Sequence, residues 1–188
     1  MSGYIDAGSL NERLERLELQ ETAPNTWEWV VVSRLWGQVT VDGGTNLFSR
    51  VGIGARNAKL AIRSRDITLH DALRWRGQHL FLTSITKLDR MHLSVQAAMV
   101  HVDAVALQGD VDTVKMTFPA VLTEKYARHE QEWPMSINQL GLVLVTPKAV
   151  TLEPGSLVKT RGAFWEVLVP HELDEYKNEY EIGRTVDL

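Results

Sequence analysis

At 188 residues, with 44% hydrophobic and 23% charged residues, the chain has room for one large or two small globular domains. It contains no cysteine, which excludes disulfide staples, thiolate nucleophiles and cysteine-zinc sites. The net charge of −4 is uneven: residues 1–94 hold 12 Lys+Arg against 10 Asp+Glu (+2), and residues 95–188 hold 8 against 14 (−6).

A basic half joined to an acidic half points to different partners for the two ends or to head-to-tail contact between copies; uneven solvated surface is the simpler reading. No run of 18 uncharged apolar residues occurs, so no transmembrane helix is expected. The opening residues lack a basic segment followed by an apolar run and do not read as a secretory signal.

In chain order, residues 1–11 are small and polar and read as a flexible arm. Leu14, Leu17 and Leu19 fit either one face of a short helix or an edge strand, and periodicity does not choose between them. Ala23-Pro24-Asn25 ends that segment. Trp27 to Val41 is the clearest strand, rich in the tryptophan and valine that suit a pleated surface. Gly43 to Asn57 is a long loop with four glycines and the apolar residues Leu47, Phe48, Val51 and Ile53, and loops of this length usually carry function. Ala58 to Arg65 reads as a strand, and Leu80–Lys87 with His92–Val102 as a hairpin turning at Asp89-Arg90.

Ala104 to Asp112 reads as a linker. Val114 to Leu122 is a strand that Pro119 marks as an edge or a bulge. Glu124 to Glu132 is charged enough for one or two helical turns. Leu140 to Val145 is a buried-type strand, and Phe164–Val169 with Tyr176–Val186 form a last hairpin. Many short strands with turns every 8–15 residues indicate an all-β fold: a small β-barrel or sandwich module over residues 12–103, followed by a second related β module over residues 113–188.

The second module is suggested by an internal echo, a feature worth seeking first because missing it miscalls the fold. Ile67-Thr68-Leu69 answers to Val150-Thr151-Leu152, Leu73 to Leu157, Arg76-Gly77 to Arg161-Gly162, and Leu88-Asp89 to Leu173-Asp174.

Candidate chemistry is sparse. His70-Asp71 and His101-x-Asp103 could each start a metal or acid-base site, but neither fits a known ligand spacing and HExxH is absent. No GxSxG elbow, Walker sequence or dinucleotide fingerprint occurs, so no catalytic residue, metal or cofactor is assigned and an enzyme is not expected. Arg50, Arg56, Lys59, Arg63 and Arg65 fall in sixteen residues without an acid; Lys59, Arg63 and Arg65 share a strand face suited to phosphates or an acidic protein surface, or to solvation alone. The carboxylates Glu172, Asp174, Glu175, Glu179 and Glu181 suit a solvated hairpin or a basic partner. By pattern, the tryptophans fall in strand cores, which argues against a nucleic-acid stacking surface.

Residues Leu14 to Val102 resemble the phage head-tail joining, or head-completion, family. The resemblance lies in Arg13-Leu14-Glu15-Arg16-Leu17-Glu18-Leu19, Trp27-Glu28-Trp29 and Leu35-Trp36-Gly37-Gln38-Val39, followed by Leu60-Ala61-Ile62-Arg63-Ser64-Arg65. It continues through Ile67-Thr68 to Leu73, Arg76-Gly77 to Ile85, and the acidic turn Asp89-Arg90-Met91. It covers a little under half the chain, and Ser64 stands where the family commonly has an aromatic.

The resemblance implies a small β-barrel assembled as a ring, expected to be a homo-hexamer, in the virion neck after assembly in the host cytoplasm. The ring would seat between a portal or adaptor protein and a tail terminator or tail tube protein. It would seal packaged DNA in non-specific proximity to it, without any membrane. In that reading the loop residues Leu47, Phe48, Arg50, Val51, Ile53 and Arg56 line or plug the channel, and Lys59, Arg63 and Arg65 face DNA or portal. Glu172, Asp174, Glu175, Glu179 and Glu181 face a neighbouring subunit or the tail. A tail-terminator ring is the alternative, and a β-barrel ligand-binding or enzymatic domain the alternative of another class.

Overall fold

The structure, a computed structural model, describes residues 7–41, 56–109, 113–126 and 140–185. It is all-β. After a single 3-10 turn at Ala7–Ser9, twelve strands follow among the described residues. These are β1 (Glu12–Ala23), β2 (Thr26–Val41), β3 (Arg56–Arg63), β4 (Ala72–Trp75), β5 (Gln78–Lys87) and β6 (His92–Val100). The second six are β7 (Asp103–Gln108), β8 (Val114–Tyr126), β9 (Leu140–Pro147), β10 (Leu157–Thr160), β11 (Ala163–His171) and β12 (Lys177–Arg184).

Contacts divide the chain into two compact units, residues 1–22 with 28–101, and residues 23–27 with 102–188. In the first, the strands hydrogen-bond in the order β1-β4-β5-β6-β3-β2, and β2 pairs back to β1 to close a six-stranded ring. In the second, the order is β7-β10-β11-β12-β9-β8, closed by β8 on β7. Numbered from its own first strand, each ring runs 1-4-5-6-3-2. Closure removes the exposed edges that an open sheet would present to other chains.

The echo in the sequence marks equivalent places in these rings. Arg76-Gly77 joins β4 to β5 and Arg161-Gly162 joins β10 to β11, each as a two-residue turn with both residues at positive φ (48° and 80°; 49° and 74°). Such a turn matches the twist of a hairpin, and glycine at its second position avoids the left-handed penalty. Arg76 pairs with Glu12 at the start of β1 (2.7 Å), and Arg161 with Asp103 at the start of β7 (2.7 Å). Each hairpin's long strand carries a bulge five residues after its glycine, at Leu82/Ser84 and at Val167/Val169. From β4 to β6 the correspondence is a constant offset, so Leu73 answers to Val158 and not to Leu157. Leu73 and Val158 are both fully buried.

Each ring encloses its own core. The first is built on Leu14, Leu35, Leu60, Ile62, Leu73, Leu80 and Val95, and the second on Val105, Phe118, Leu144, Val158, Val167 and Tyr180. Alternation makes this possible: in β3, Ala58, Leu60 and Ile62 point in while Lys59 and Arg63 point out. In the second core, the buried Tyr180 hydroxyl donates to the Val150 carbonyl (3.2 Å) and accepts from the Leu152 amide (3.1 Å). Burial pushes that hydroxyl's pKa up to about 12.

Several expectations are corrected. The expected linker over 104–112 is a strand through residue 108, because β7 occupies Asp103–Gln108; its run of small apolar residues resembles a spacer, and residues 110–112 lie outside the described residues. Of the segment expected to hold helical turns, Glu124–Tyr126 extends β8, and the remainder lies outside the described residues. The arm is docked at its end, since Leu10 is buried. Neither four-residue strand, β4 or β10, stood out in the sequence. Pro119 is accommodated where β8 changes partners: β2 pairs at Thr117, and β9 begins at Val121.

Replacing Gly77 or Gly162 by alanine should cost about 1 kcal/mol or more each, because a Cβ would be forced into positive φ. Chemical denaturation of the full chain measures it, and a loss below a few tenths of a kcal/mol at either site would contradict the turn assignment.

Candidate functional site

The polar face with the clearest chemical bias lies outside the first ring, where β3 runs between β2 and β6. Gln38 and Thr40 lie across from Ala61 and Lys59, and Gln96, Ser94 and His92 lie across from Lys59, Ala61 and Arg63. Trp36 sits one residue beyond the last β2–β3 pair, Gly37–Ile62. These positions hold Lys59, Arg63 and His92, and no carboxylate. Lys59 and Arg63 are exposed and have no ion-pair partner among the described residues. They are four residues apart on one strand, about 13 Å.

At the Arg63 end, a cavity of about 660 Å³ is lined by Leu10, Asn11, Trp36, Arg63, Ser64 and Arg65. Trp36 is 60% exposed, so the expectation that the tryptophans lie in strand cores fails there. The reason is register: Leu35 and Gly37 take the inward positions of β2, which turns Trp36 outward. Arg65 lies past the end of β3 and is exposed, followed by the exposed Asp66.

Arg56 stands at the opposite end of β3, about 23 Å from Arg63. The expected channel-loop residues Leu47, Phe48, Arg50, Val51 and Ile53 lie outside the described residues; their segment joins the Val41 end of β2 to the Arg56 end of β3. Of the basic cluster of the sequence, Arg56 and Arg63 thus stand at opposite ends of β3 with Lys59 between them, and Arg50 lies outside the described residues.

The bend that carries Arg65 is anchored by Asp71. This buried carboxylate accepts from the Thr68 amide (2.7 Å), the Thr68 hydroxyl (3.3 Å) and Arg16 (3.2 Å). Asp71 is thus a structural cap in this bend, and His70 beside it is exposed. His92 Nδ1 lies 2.9 Å from Asp89. That hydrogen bond, with the amides of Met91 and His92, holds the Asp89 carboxyl below its ordinary range. Among the described residues, no group of three His, Asp or Glu could hold a metal ion.

In the second unit the acidic run is largely engaged locally. Glu181 lies 3.0 Å from His171, and Glu179 pairs with Lys177 at 3.0 Å. Glu172 Oε1 lies 3.1 Å from the Tyr180 hydroxyl and competes with the Val150 carbonyl for its one proton, and Asp174 caps the amides of Tyr176 and Lys177. Glu175 is exposed without an ion-pair partner among the described residues. Lys148 donates to the carbonyls of Glu172 and Asp174, both at 2.7 Å.

Sequence patterns gave no reason to single out His79. It packs 5.4 Å from the Trp29 ring, and its Nε2 is buried without a hydrogen-bond partner. Burial first, and the charge of Arg74 second, lower its pKa to about 4. Comparisons with family models, with curated proteins and with solved structures find no match to this chain.

His79 gives the first unit a definite pH response. The folded state holds it neutral while the unfolded chain binds a proton near pH 6.5, so its contribution is complete above that pH and is lost as pH falls towards 4. The loss should reach about 3 kcal/mol, and His79→Gln should flatten this part of the curve. Denaturant titrations from pH 7.5 to 4 check it, and an unchanged slope in the variant would rule out His79 as the source.

Proposed function

We propose that this protein is a structural component of a tailed-phage neck, forming a ring between portal or adaptor and tail that retains packaged DNA and docks the tail. The observation that carries the proposal is the outward pair Lys59 and Arg63 on a small closed barrel, with Arg65 exposed just past the strand end. Cations without local acid partners suit the phosphates of packaged DNA or the acidic surface of a portal. The residues behind the resemblance to head-completion proteins fall within this same barrel, except Trp27, which packs on the second core. The 42–55 segment, outside the described residues, connects β2 to β3 in the sequence, and the resemblance puts a channel loop there.

The tail-terminator ring is the reading closest to this one, and it requires no basic strand. A nucleic-acid-binding module is favoured by one observation, the exposed Trp36 beside Arg63 and Arg65. An indole without a covering side chain can stack on an unpaired base.

Purified protein should cosediment with DNA-filled capsids that lack a neck and should slow their DNA leakage. Replacing Lys59, Arg63 and Arg65 together by alanine should weaken that association about tenfold, from three exposed contacts of several tenths of a kcal/mol each. Binding to isolated tails in place of heads would transfer the assignment to the terminator. Binding to neither, with salt-sensitive affinity for single-stranded DNA, would leave the nucleic-acid module and end the neck reading.

A further inference from the structure

Two equivalent turns in the two rings have the same backbone locks and opposite charge. The β5–β6 turn is Lys87-Leu88-Asp89-Arg90-Met91, and the β11–β12 turn is Glu172-Leu173-Asp174-Glu175-Tyr176. In the first, Asp89 Oδ1 accepts from the amides of Met91 (2.6 Å) and His92 (2.8 Å). In the second, Asp174 Oδ1 accepts from Tyr176 (2.8 Å) and Lys177 (3.2 Å). Further bonds fix each turn: the Leu88 amide to the His92 carbonyl (3.0 Å), and Lys148 to the carbonyls of Glu172 and Asp174.

Both locked turns hold a leucine out into solvent. Leu88 is 45% exposed and Leu173 fully so. Met91, 62% exposed, extends the first apolar tip. Leu168 and Val169, displaced outward at the β11 bulge, add exposed apolar surface on the strand leading into the second turn. Neither leucine belongs to the core of its ring, and each is accompanied by other exposed apolar side chains, which suits a contact surface. Rigid turns also lose little entropy when they dock.

The surrounding charges specify what docks. Lys87 and Arg90 flank Leu88, Arg63 and Arg65 lie on the adjoining strand end, and Asp89 is already bonded to His92. Glu172 and Glu175 flank Leu173. The basic turn carries a formal charge of +1 (two cations, one carboxylate) and the acidic turn −3 (three carboxylates).

We infer that the β5–β6 turn of one copy docks on the β11–β12 turn of the next, leucine against leucine with Lys87 and Arg90 facing Glu172 and Glu175. The contact is heterologous, so copies join head to tail, and such contacts build a ring or an open filament according to the rotation at each step. Closure into a ring rests on the neck reading above; the contact itself does not. Like charges keep two basic turns, or two acidic turns, from pairing.

The cysteine-free chain allows a direct test, because introduced thiols would be the only ones. The full chain carrying Leu88→Cys and Leu173→Cys is treated with a short bismaleimide, which captures transient contacts even when the protein is mostly monomeric. A ladder of covalent multimers is expected. Each single variant should remain monomeric, and a mixture of the two should stop at dimers.

Adding Lys87→Glu and Arg90→Glu should reduce the ladder at least tenfold. Adding Glu172→Lys and Glu175→Lys as well should restore it, which also shows that the reversed chains fold. Absence of a ladder, self-linking of Leu88→Cys alone, or yields indifferent to charge reversal would each overturn the inference. A chain that ladders but ignores capsids would keep this contact and lose the neck role. One that binds capsids without laddering would do the opposite.

Discussion

Closure of the sheet is the constraint on which the other features depend. Twelve strands in an open sheet would expose edge amides and carbonyls, yet each six here returns on itself, β2 onto β1 and β8 onto β7. Closure needs a sharp reversal beside the shortest strand of each ring, because β4 and β10 are only four residues long. The Arg-Gly turns supply that reversal, and their arginines reach Glu12 and Asp103 to tie it to the first strand of the ring. The arginine thus takes a positive-φ position, which costs it backbone freedom, while its charge secures the ring's start. These ion pairs are exposed and individually weak; their value is in position more than in energy.

With closure fixed, the two units differ in what they put outside. Inward positions are apolar in both, so each ring has its own core. Outward positions diverge. The first unit keeps Lys59, Arg63, Arg65 and Arg90 without ion-pair partners among the described residues, whereas the second engages Glu179 and Glu181 with Lys177 and His171.

The sequence made some of this legible and concealed the rest. Turn chemistry was visible because glycine after arginine, and aspartate after leucine, recur at fixed spacing and answer to backbone needs that only a few residues meet. The strands β2, β5, β9 and β11 were visible through β-branched and aromatic content. β4, β7 and β10 were not: four residues give too short a run for period-two reading, and Ala104, Val105, Ala106 and Leu107 look like filler until β8 and β10 pair on either side. The single-residue error in matching Leu73 arose because the preceding bends differ in length while the strands do not. For the site, the basic residues could be found by composition. That Trp36 faces outward, and that His79 is buried beside Trp29, depends on register and on packing across strands, which no local pattern encodes.

Opposite charge on one conserved turn geometry has a consequence for how two modules on one chain can work. If both turns had one sign, neighbouring copies would repel at these hydrogen-bonded, leucine-tipped turns, and the exposed Leu88 and Leu173 would only favour indiscriminate association. In the proposed head-to-tail contact, opposite signs would remove that conflict: repulsion between like turns would set direction, and apolar contact between unlike turns would supply adhesion. The same locks that hold Asp89 and Asp174 in place complete each hairpin within a ring, and in that contact they would also present its leucine at a fixed height to the next molecule. Side chains outside the barrel could change sign without disturbing the closure beneath them, because the outward positions of a closed ring contribute little to its core.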